Sequence, residues 1–400
     1  MPFRSVRCPL PPPEDHEVTV LFLSDIAWDS LHQRPQHIAT RLSRTERVLW
    51  VEPITLGRRV MLSPVELAPG LYRMMLPAFP LNARNRWIRR LALPASRVGA
   101  FRGALAALQR VLLRRGLRTI TPAGDRIVCL AENFLFMNVA DTVKPRRMVF
   151  DYIDDVFGFA TFPAFVRSEW LSAIERADAV TVTSPTLRKR ILEVRVRDVR
   201  IVRNGVEFNR FASPAGAGRP ADLPPPGSTI VGYVGSIYPW LDFDLMERTI
   251  GAMTDLSFVM IGPLHPAVAR EMDRLARRRN FSFLGLKAYS DVPAYMRNLD
   301  AAIIPFRRTL LTEGVNPVKL YEYSAAGVPT VATDFSDDTK EFAGFVLVAR
   351  TESEFAAHIR TALLRRKDPE FTRKLISFAA ENDWDCRAQE FSALLQLEGP

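Results

Sequence analysis

The sequence predicts an α/β chain of two successive doubly wound domains, and three observations carry that prediction. Short, nearly unbroken apolar runs alternate with helical stretches over most of the 400 residues. Runs of this kind suit parallel strands covered by helices on both faces. A stretch dense in Pro and Gly, residues 213–228, interrupts the alternation once and shows no periodicity, so it reads as a linker. The length also exceeds what one hydrophobic core usually serves, roughly 250–300 residues.

In chain order, residues 18–24 (VTVLFLS) form the first strand, 35–44 a helix and 47–51 the second strand. Further strands fall at 127–131, 148–153, 179–184 and 199–202, with helices at 163–177 and 186–194. After the linker, strands are expected at 229–234, 257–261, 281–284, 301–305, 330–333 and 345–348. Helices are expected at 242–252, 266–279, 292–298, 317–326 and 353–366. One or two amphipathic helices close the chain over 370–397. The resulting organisation is a loose tail at 1–17, a Rossmann-like domain at 18–212, the linker at 213–228, a second Rossmann-like domain at 229–375 and a C-terminal helix at 376–400 that returns to the first domain. Ligands of open α/β sheets bind outside the carboxyl ends of the strands, so the expected site is the cleft between the two domains.

Composition narrows the function classes. With 48% hydrophobic and 24% charged residues, the chain is globular rather than disordered. Cys8, Cys129 and Cys386 are scattered without a CxxC pair, which argues against a disulfide framework or a zinc site and fits a reducing compartment. No window approaches ~18 consecutive apolar residues, and residues 1–17 lack a signal-peptide core. The expected location is therefore cytoplasmic. Charge is uneven: residues 1–212 hold 33 Lys and Arg against 20 Asp and Glu, the remainder 21 against 24. The first half thus faces something anionic: a membrane surface, a polyphosphate acceptor or nucleic acid. Between Arg84 and Arg118 stand ten arginines and no Asp, Glu or Lys, interleaved with Trp87, Leu91, Phe101, Leu105, Leu108 and Leu112. That pattern suits the surface of an anionic membrane, although an ordinary cationic helix face in an Arg-rich chain has the same signature. No zinc finger, RNP pattern or recognition helix supports nucleic acid as the partner.

The segment NPVKLYEYSAAG, Asn316 to Gly327, is the most informative. Asn316 is a favourable N-cap and Pro317 suits the first helical position. A helix starting there offers free amides and a positive dipole end to a diphosphate. Lys319 adds a charge in the first turn, and Glu322, three residues on and on the same face, can accept the hydroxyls of a ribose. The same two residues can equally form a plain i,i+3 surface pair. Earlier, Gly235 and Ser236 follow the strand at 229–234, where a glycine lets the chain turn tightly beside a ligand. In the first domain, Asp151, Asp154 and Asp155 (DYIDD) crowd one strand end. Crowded carboxylates can raise a pKa and yield a general base, or they can merely cap a helix. His32, Arg34 and His37 lie where the loop after the first strand enters its helix, a second anion-receptive helix start.

These residues carry a resemblance. EGVNPVKLYEYSAAGVPTVAT, from Glu313 to Thr333, resembles the donor-binding helix of GT-B glycosyltransferases similar to glycosyltransferase family 4. Their pattern has two glutamates separated by seven residues, then small residues and Gly-x-Pro. Glu322, Gly327 and Pro329 match. Gly314 stands in the place of the first glutamate, with Glu313 one residue early, and Gly314 and Val315 are expected to offer backbone amides to phosphate in its stead. The resemblance implies that Lys319 holds the diphosphate and Glu322 the ribose of a nucleotide diphosphate sugar, UDP-sugar first, with Asn316 and Glu313 beside them. VFDYID resembles the corresponding strand end of xanthan-type glucuronosyltransferases, which implies Asp154 as base, with Asp151 and Asp155 in reserve. RPQH, at Arg34 to His37, resembles a loop that borders the acceptor in polysaccharide-assembly enzymes, and implies acceptor contacts from Arg34, His37 and His32. The expectation is thus a metal-independent glycosyltransferase of bacterial surface polysaccharide synthesis. It needs no cofactor beyond its donor, acts on a saccharide or polyprenyl-linked acceptor, and sits peripherally on the inner face of the membrane. The alternatives are a nucleotide-sugar 2-epimerase of the same architecture and, outside enzymes, a nucleic-acid binder.

Overall fold

The computed structural model describes residues 18–55, 57–79, 94, 96, 98–155, 157, 164–195, 197–213 and 218–396. The expected tail at 1–17, part of the linker (214–217) and much of the basic segment, including Arg84, Arg86, Trp87, Arg89, Arg90 and Arg97, lie outside the described residues. The chain divides into two compact units. The first comprises 18–183, Leu187–Val202 and 385–396, and the second Ser184–Thr186 and Arg203–Trp384.

In the first unit the elements run β1 (Val18–Leu23), α1 (Arg34–Leu42), β2 (Arg47–Pro53), β3 (Val65–Ala68), β4 (Leu71–Leu76), α2 (Gly99–Ile120), β5 (Arg126–Ala131), α3 (Phe134–Ala140), β6 (Met148–Tyr152), α4 (Ala164–Arg176), β7 (Ala179–Val182), α5 (Pro185–Leu192, in this unit from Leu187 onward) and β8 (Val199–Ile201). Its sheet has the order β3-β4-β2-β1-β5-β6-β7-β8. Every residue of β1 is buried, as a continuous apolar run requires when helices cover both faces. The expectation of a wholly parallel sheet needs one correction. The β3–β4 hairpin was not anticipated, and β3 pairs antiparallel to β4 at the edge. All four residues of β3 are exposed, so no apolar alternation announces it. In β4 the apolar run is broken by Arg73, which is buried and spends its charge on the fully buried Glu52 of β2 at 2.6 Å.

In the second unit come α6 (Phe208–Ala212), β9 (Ile230–Val234), α7 (Phe243–Ala252), β10 (Ser257–Ile261), α8 (Ala269–Ala276), β11 (Phe281–Phe283), α9 (Val292–Arg297), β12 (Ala301–Ile304), α10 (Val318–Ala325), β13 (Thr330–Thr333), α11 (Asp337–Glu341), β14 (Val346–Ala349), α12 (Glu352–Arg366) and α13 (Pro369–Ala380). The six strands are all parallel, in the order β11-β10-β9-β12-β13-β14. Strand order reverses between β9 and β12 here, and between β1 and β5 in the first unit. Those are the switch points at which such sheets take ligands. The last helix, α14 (Trp384–Gln396), packs with the first unit from Asp385 onward. Arg41 of α1 pairs with Asp385 at 2.6 Å, Gln396 donates to Glu46 at 3.1 Å, and the Arg34 guanidinium lies 5.3 Å from the centre of the Phe391 ring. No helix among the described residues is long and apolar enough to cross a membrane.

Candidate active site

Past the carboxyl ends of β9, β10 and β11 in the second unit, three loop glycines bring backbone close to backbone. The Gly235 amide, just past β9, donates to Ile261 O at 2.9 Å, and the Gly262 amide, just past β10, donates to Gly285 O at 2.9 Å. Gly262 has φ +143, and a Cβ there would stand 2.0 Å from Gly235 O, so no side chain fits. A Cβ on Gly235 would meet Tyr233 Oη at 2.9 Å and Lys319 Cε at 3.1 Å. The first loop therefore lies directly against the stem of Lys319. Ser236, next in line, is half-buried, and its carbonyl accepts from Tyr233 Oη at 3.0 Å.

Helix α10 differs at its head from the sequence expectation. It starts at Val318, with Pro317 in the cap position and no side-chain cap. Asn316 is not the cap because its side chain is committed elsewhere: it is buried, accepts from the Asn204 amide at 2.8 Å and donates to Asp338 Oδ2 at 2.8 Å. Gly314 and Val315 were expected to offer amides to phosphate. The structure closes both within a single turn, onto Leu311 O and Thr312 O at 3.3 and 3.1 Å. At the head of α10 the Leu320 amide is taken by Pro317 O at 3.1 Å, while no backbone acceptor among the described residues takes those of Val318 and Lys319. Two free amides at a helix start are an anion site. Glu313 faces Arg308 at 3.1 Å. Lys319 Nζ lies 2.7 Å from Glu322 Oε2, the lysine partly exposed and the glutamate buried. The surface-pair reading thus describes the contact but not the burial. Tyr289 donates to Glu207 at 2.8 Å, and burial together with the negative charges of Glu322 and Glu207 pushes its phenol well up.

In the first unit the structure joins Arg34, the expected acceptor contact, to Asp151, the expected reserve base. The guanidinium grips the carboxylate through two bonds of 2.8 and 3.0 Å, both side chains 3% exposed, and also donates to Val202 O at 2.9 Å. Thr181 donates to the same carboxylate at 2.7 Å. Asp155 is likewise spent, on Arg190 at 2.9 Å, Tyr152 Oη at 3.1 Å and the Phe157 amide at 3.1 Å. Asp154 differs: it is half-buried and takes part in no hydrogen bond or ion pair among the described residues. Loss of water and the neighbouring Asp25 raise its carboxyl to about 6, with Arg34 opposing and Asp155 adding a little.

Two further carboxylates were missed. Asp25 follows β1 and Glu132 follows β5, on either side of the switch point. Asp25 touches solvent, yet enough protein surrounds it for desolvation to raise its carboxyl. Burial, then Asp25 and Asp151, push Glu132 well above the usual range, against Arg34 and a 3.3 Å bond from Ser24 Oγ. The available signal was positional, since each stands within two residues of the carboxyl end of an expected strand. His37 is buried, its ring edge-on to the exposed His32 with centroids 4.2 Å apart.

Residues 228–365 match the family model for glycosyl transferases group 1. That stretch is a group 1 glycosyltransferase domain. It contains β9 to β14, the glycine loops, Lys319 and Glu322. The chain is also 28% identical over 227 residues to TuaH of Bacillus subtilis (strain 168), named as a teichuronic acid biosynthesis glycosyltransferase. That match spans 55% of this chain and 57% of TuaH, little more than half of either. Among solved structures, an E. coli trehalose-6-phosphate structure bound with UDP-2-fluoro glucose matches with TM-score 0.69 at 13% identity, covering 95% of this chain and 99% of that one. Anabaena HepE in complex with UDP and glucose matches with TM-score 0.62 at 13% identity, covering 94% and 99%. At these identities the likeness is one of fold, and the fold is GT-B: the group 1 domain is one of two Rossmann-like domains.

Proposed function

We propose that the chain is a glycosyltransferase. It moves a sugar from a nucleoside diphosphate sugar, UDP-sugar first, to a saccharide or polyprenyl-linked glycan in bacterial surface polysaccharide synthesis. The observation that carries this reading is the head of α10 within the group 1 domain. There Lys319 is partly exposed, the Val318 and Lys319 amides have no backbone acceptor among the described residues, Glu322 is buried one turn deeper, and the Gly235 loop lies against the lysine stem. TuaH and the UDP-bound neighbours support the same direction. The leaving diphosphate rests on the Val318 and Lys319 amides and the Lys319 ammonium, which supply its countercharge. Glu322 exchanges Lys319 for the ribose hydroxyls.

Asp154 takes the proton of the acceptor hydroxyl. The acceptor oxygen bonds to the sugar's anomeric carbon as the bond from that carbon to the diphosphate breaks, and the nucleoside diphosphate departs with the electron pair. Arg34 fixes the strand end beneath Asp154, and acceptor contact falls to His32 with His37 beneath it. A thermal-shift panel of UDP-, GDP- and dTDP-sugars tests the donor. UDP compounds are expected to stabilise the protein by about 2.7 kcal/mol at a hundredfold excess over Kd. No shift with any of the three bases sinks the proposal, and donor consumption without an acceptor points to epimerisation.

The peripheral membrane part of the proposal rests on α2. Phe101, Ala104, Leu108 and Val111 recur at helical spacing on an exposed face, with Phe101 61%, Leu108 50% and Val111 63% exposed. Arg115 and Arg118 continue that stripe and Arg110 flanks it, none of them in an ion pair among the described residues. An apolar stripe with basic company fits an anionic bilayer surface. At ~1 kcal/mol per basic residue, converting Arg110, Arg115 and Arg118 to Glu is expected to weaken sedimentation with phosphatidylglycerol vesicles at least 100-fold. Equal sedimentation of both proteins removes the membrane from the account.

A further inference from the structure

We propose that Asp338 is a positioning residue for the donor: through Asn316 it sets where α10 begins, and so where Lys319 and the two head amides meet the diphosphate. The inference rests on the donor reading above. Helix α10 has no side-chain cap of its own, since Pro317 occupies that position, so its start is held by whatever holds Asn316. Asn316 is 3% exposed and fully engaged. Its Oδ1 accepts the Asn204 amide at 2.8 Å and Tyr321 Oη at 3.1 Å, and its carbonyl accepts Asn204 Nδ2 at 2.7 Å. Its Nδ2 donates to Asp338 Oδ2 at 2.8 Å and lies 3.0 Å from Tyr321 Oη. Tyr321 belongs to the first turn of α10, so the network closes on the helix it positions.

Asp338 is fully buried on α11. Its own placement is secured by Ser336, whose Oγ accepts the Asp338 amide at 3.2 Å and donates to Glu313 O at 3.1 Å. The charged groups facing it are Arg203, with Nη2 3.8 Å from Oδ1, and Glu341 and Asp337. A buried carboxylate with one oxygen lacking a hydrogen bond is costly, and burial pushes this one up to about 7, with Asn316 and Arg203 opposing. Packing alone gives no reason for a charge here. Holding Asn316 by an acceptor does.

The test is calorimetric binding of UDP to the full chain. Asp338→Ala is expected to raise the Kd for UDP about tenfold. Asp338→Asn, whose amide oxygen can still accept from Asn316, is expected to restore it to within twofold of the parent. A purely packing role would lower the melting temperature of the alanine variant and leave Kd alone, and that result overturns the inference, as does equal weakening by both variants. Should Asp338→Ala fail to fold, Tyr321→Phe removes one hydroxyl from the same network. A threefold rise in Kd supports the inference and an unchanged Kd overturns it. Lys319→Ala separates the two levels. If it leaves UDP affinity intact the donor reading itself falls, whereas if it weakens UDP tenfold and Asp338→Ala does not, only Asp338 loses its role.

Discussion

Replacing Asp154 by Asn is expected to lower kcat by about 100- to 10,000-fold, the range that loss of a general base produces, with UDP affinity unchanged. The substitution keeps the shape of the side chain and removes only its basicity. Three aspartates stand together in the sequence, and the structure distinguishes them by partners: Asp151 is gripped by Arg34 and Thr181, Asp155 by Arg190 and Tyr152, and Asp154 by nothing among the described residues. Only an unpaired carboxylate can receive a proton without first breaking an ion pair. Its carboxyl, raised to about 6, also sets the pH profile. Below that value Asp154 is protonated and cannot act as base, so the rate falls about tenfold per pH unit; above it the rate is level. Single-turnover transfer of labelled sugar to an acceptor extract, run across pH with both proteins, reads both effects. If Asp154→Asn keeps its rate, or loses it without flattening the acid limb, the base lies elsewhere.

Arg34→Met is expected to destabilise the first unit by about 3–5 kcal/mol, the usual cost of stranding one partner of a buried ion pair. Asp151 would remain 3% exposed with its bidentate partner gone, and Thr181 alone cannot neutralise it. The double variant Arg34→Met, Asp151→Leu is expected to recover most of the loss, because no charge is then left buried. Hydrogen exchange at the β6 amides in increasing urea isolates this unit from the other. A change below about 1 kcal/mol in the single variant, the scale of an exposed pair, would return Arg34 to the acceptor side.

Much of the architecture was legible in the residues alone, because parallel strands buried on both faces leave unbroken apolar runs and each crossover helix leaves its own period. Both sheets were visible that way, and so was the Lys319–Glu322 spacing, since i,i+3 neighbours on a helix are a local property. Elements without such local signatures escaped. The wholly exposed β3 has no pattern to read, and β4 is interrupted by an arginine whose countercharge sits on β2. Asn316 obeyed the local rule for a cap, but Asn204 and Asp338, 112 and 22 residues away, claimed its side chain. The pairing of Arg34 with Asp151 spans 117 residues, and strand order β1-β5-β6 alone gathers Asp25, Glu132 and Asp154 past the carboxyl ends of neighbouring strands. Sequence thus decides which chemistry each strand end can offer. Which of those groups stay free to use it depends on partners that only the folded chain brings within hydrogen-bond reach.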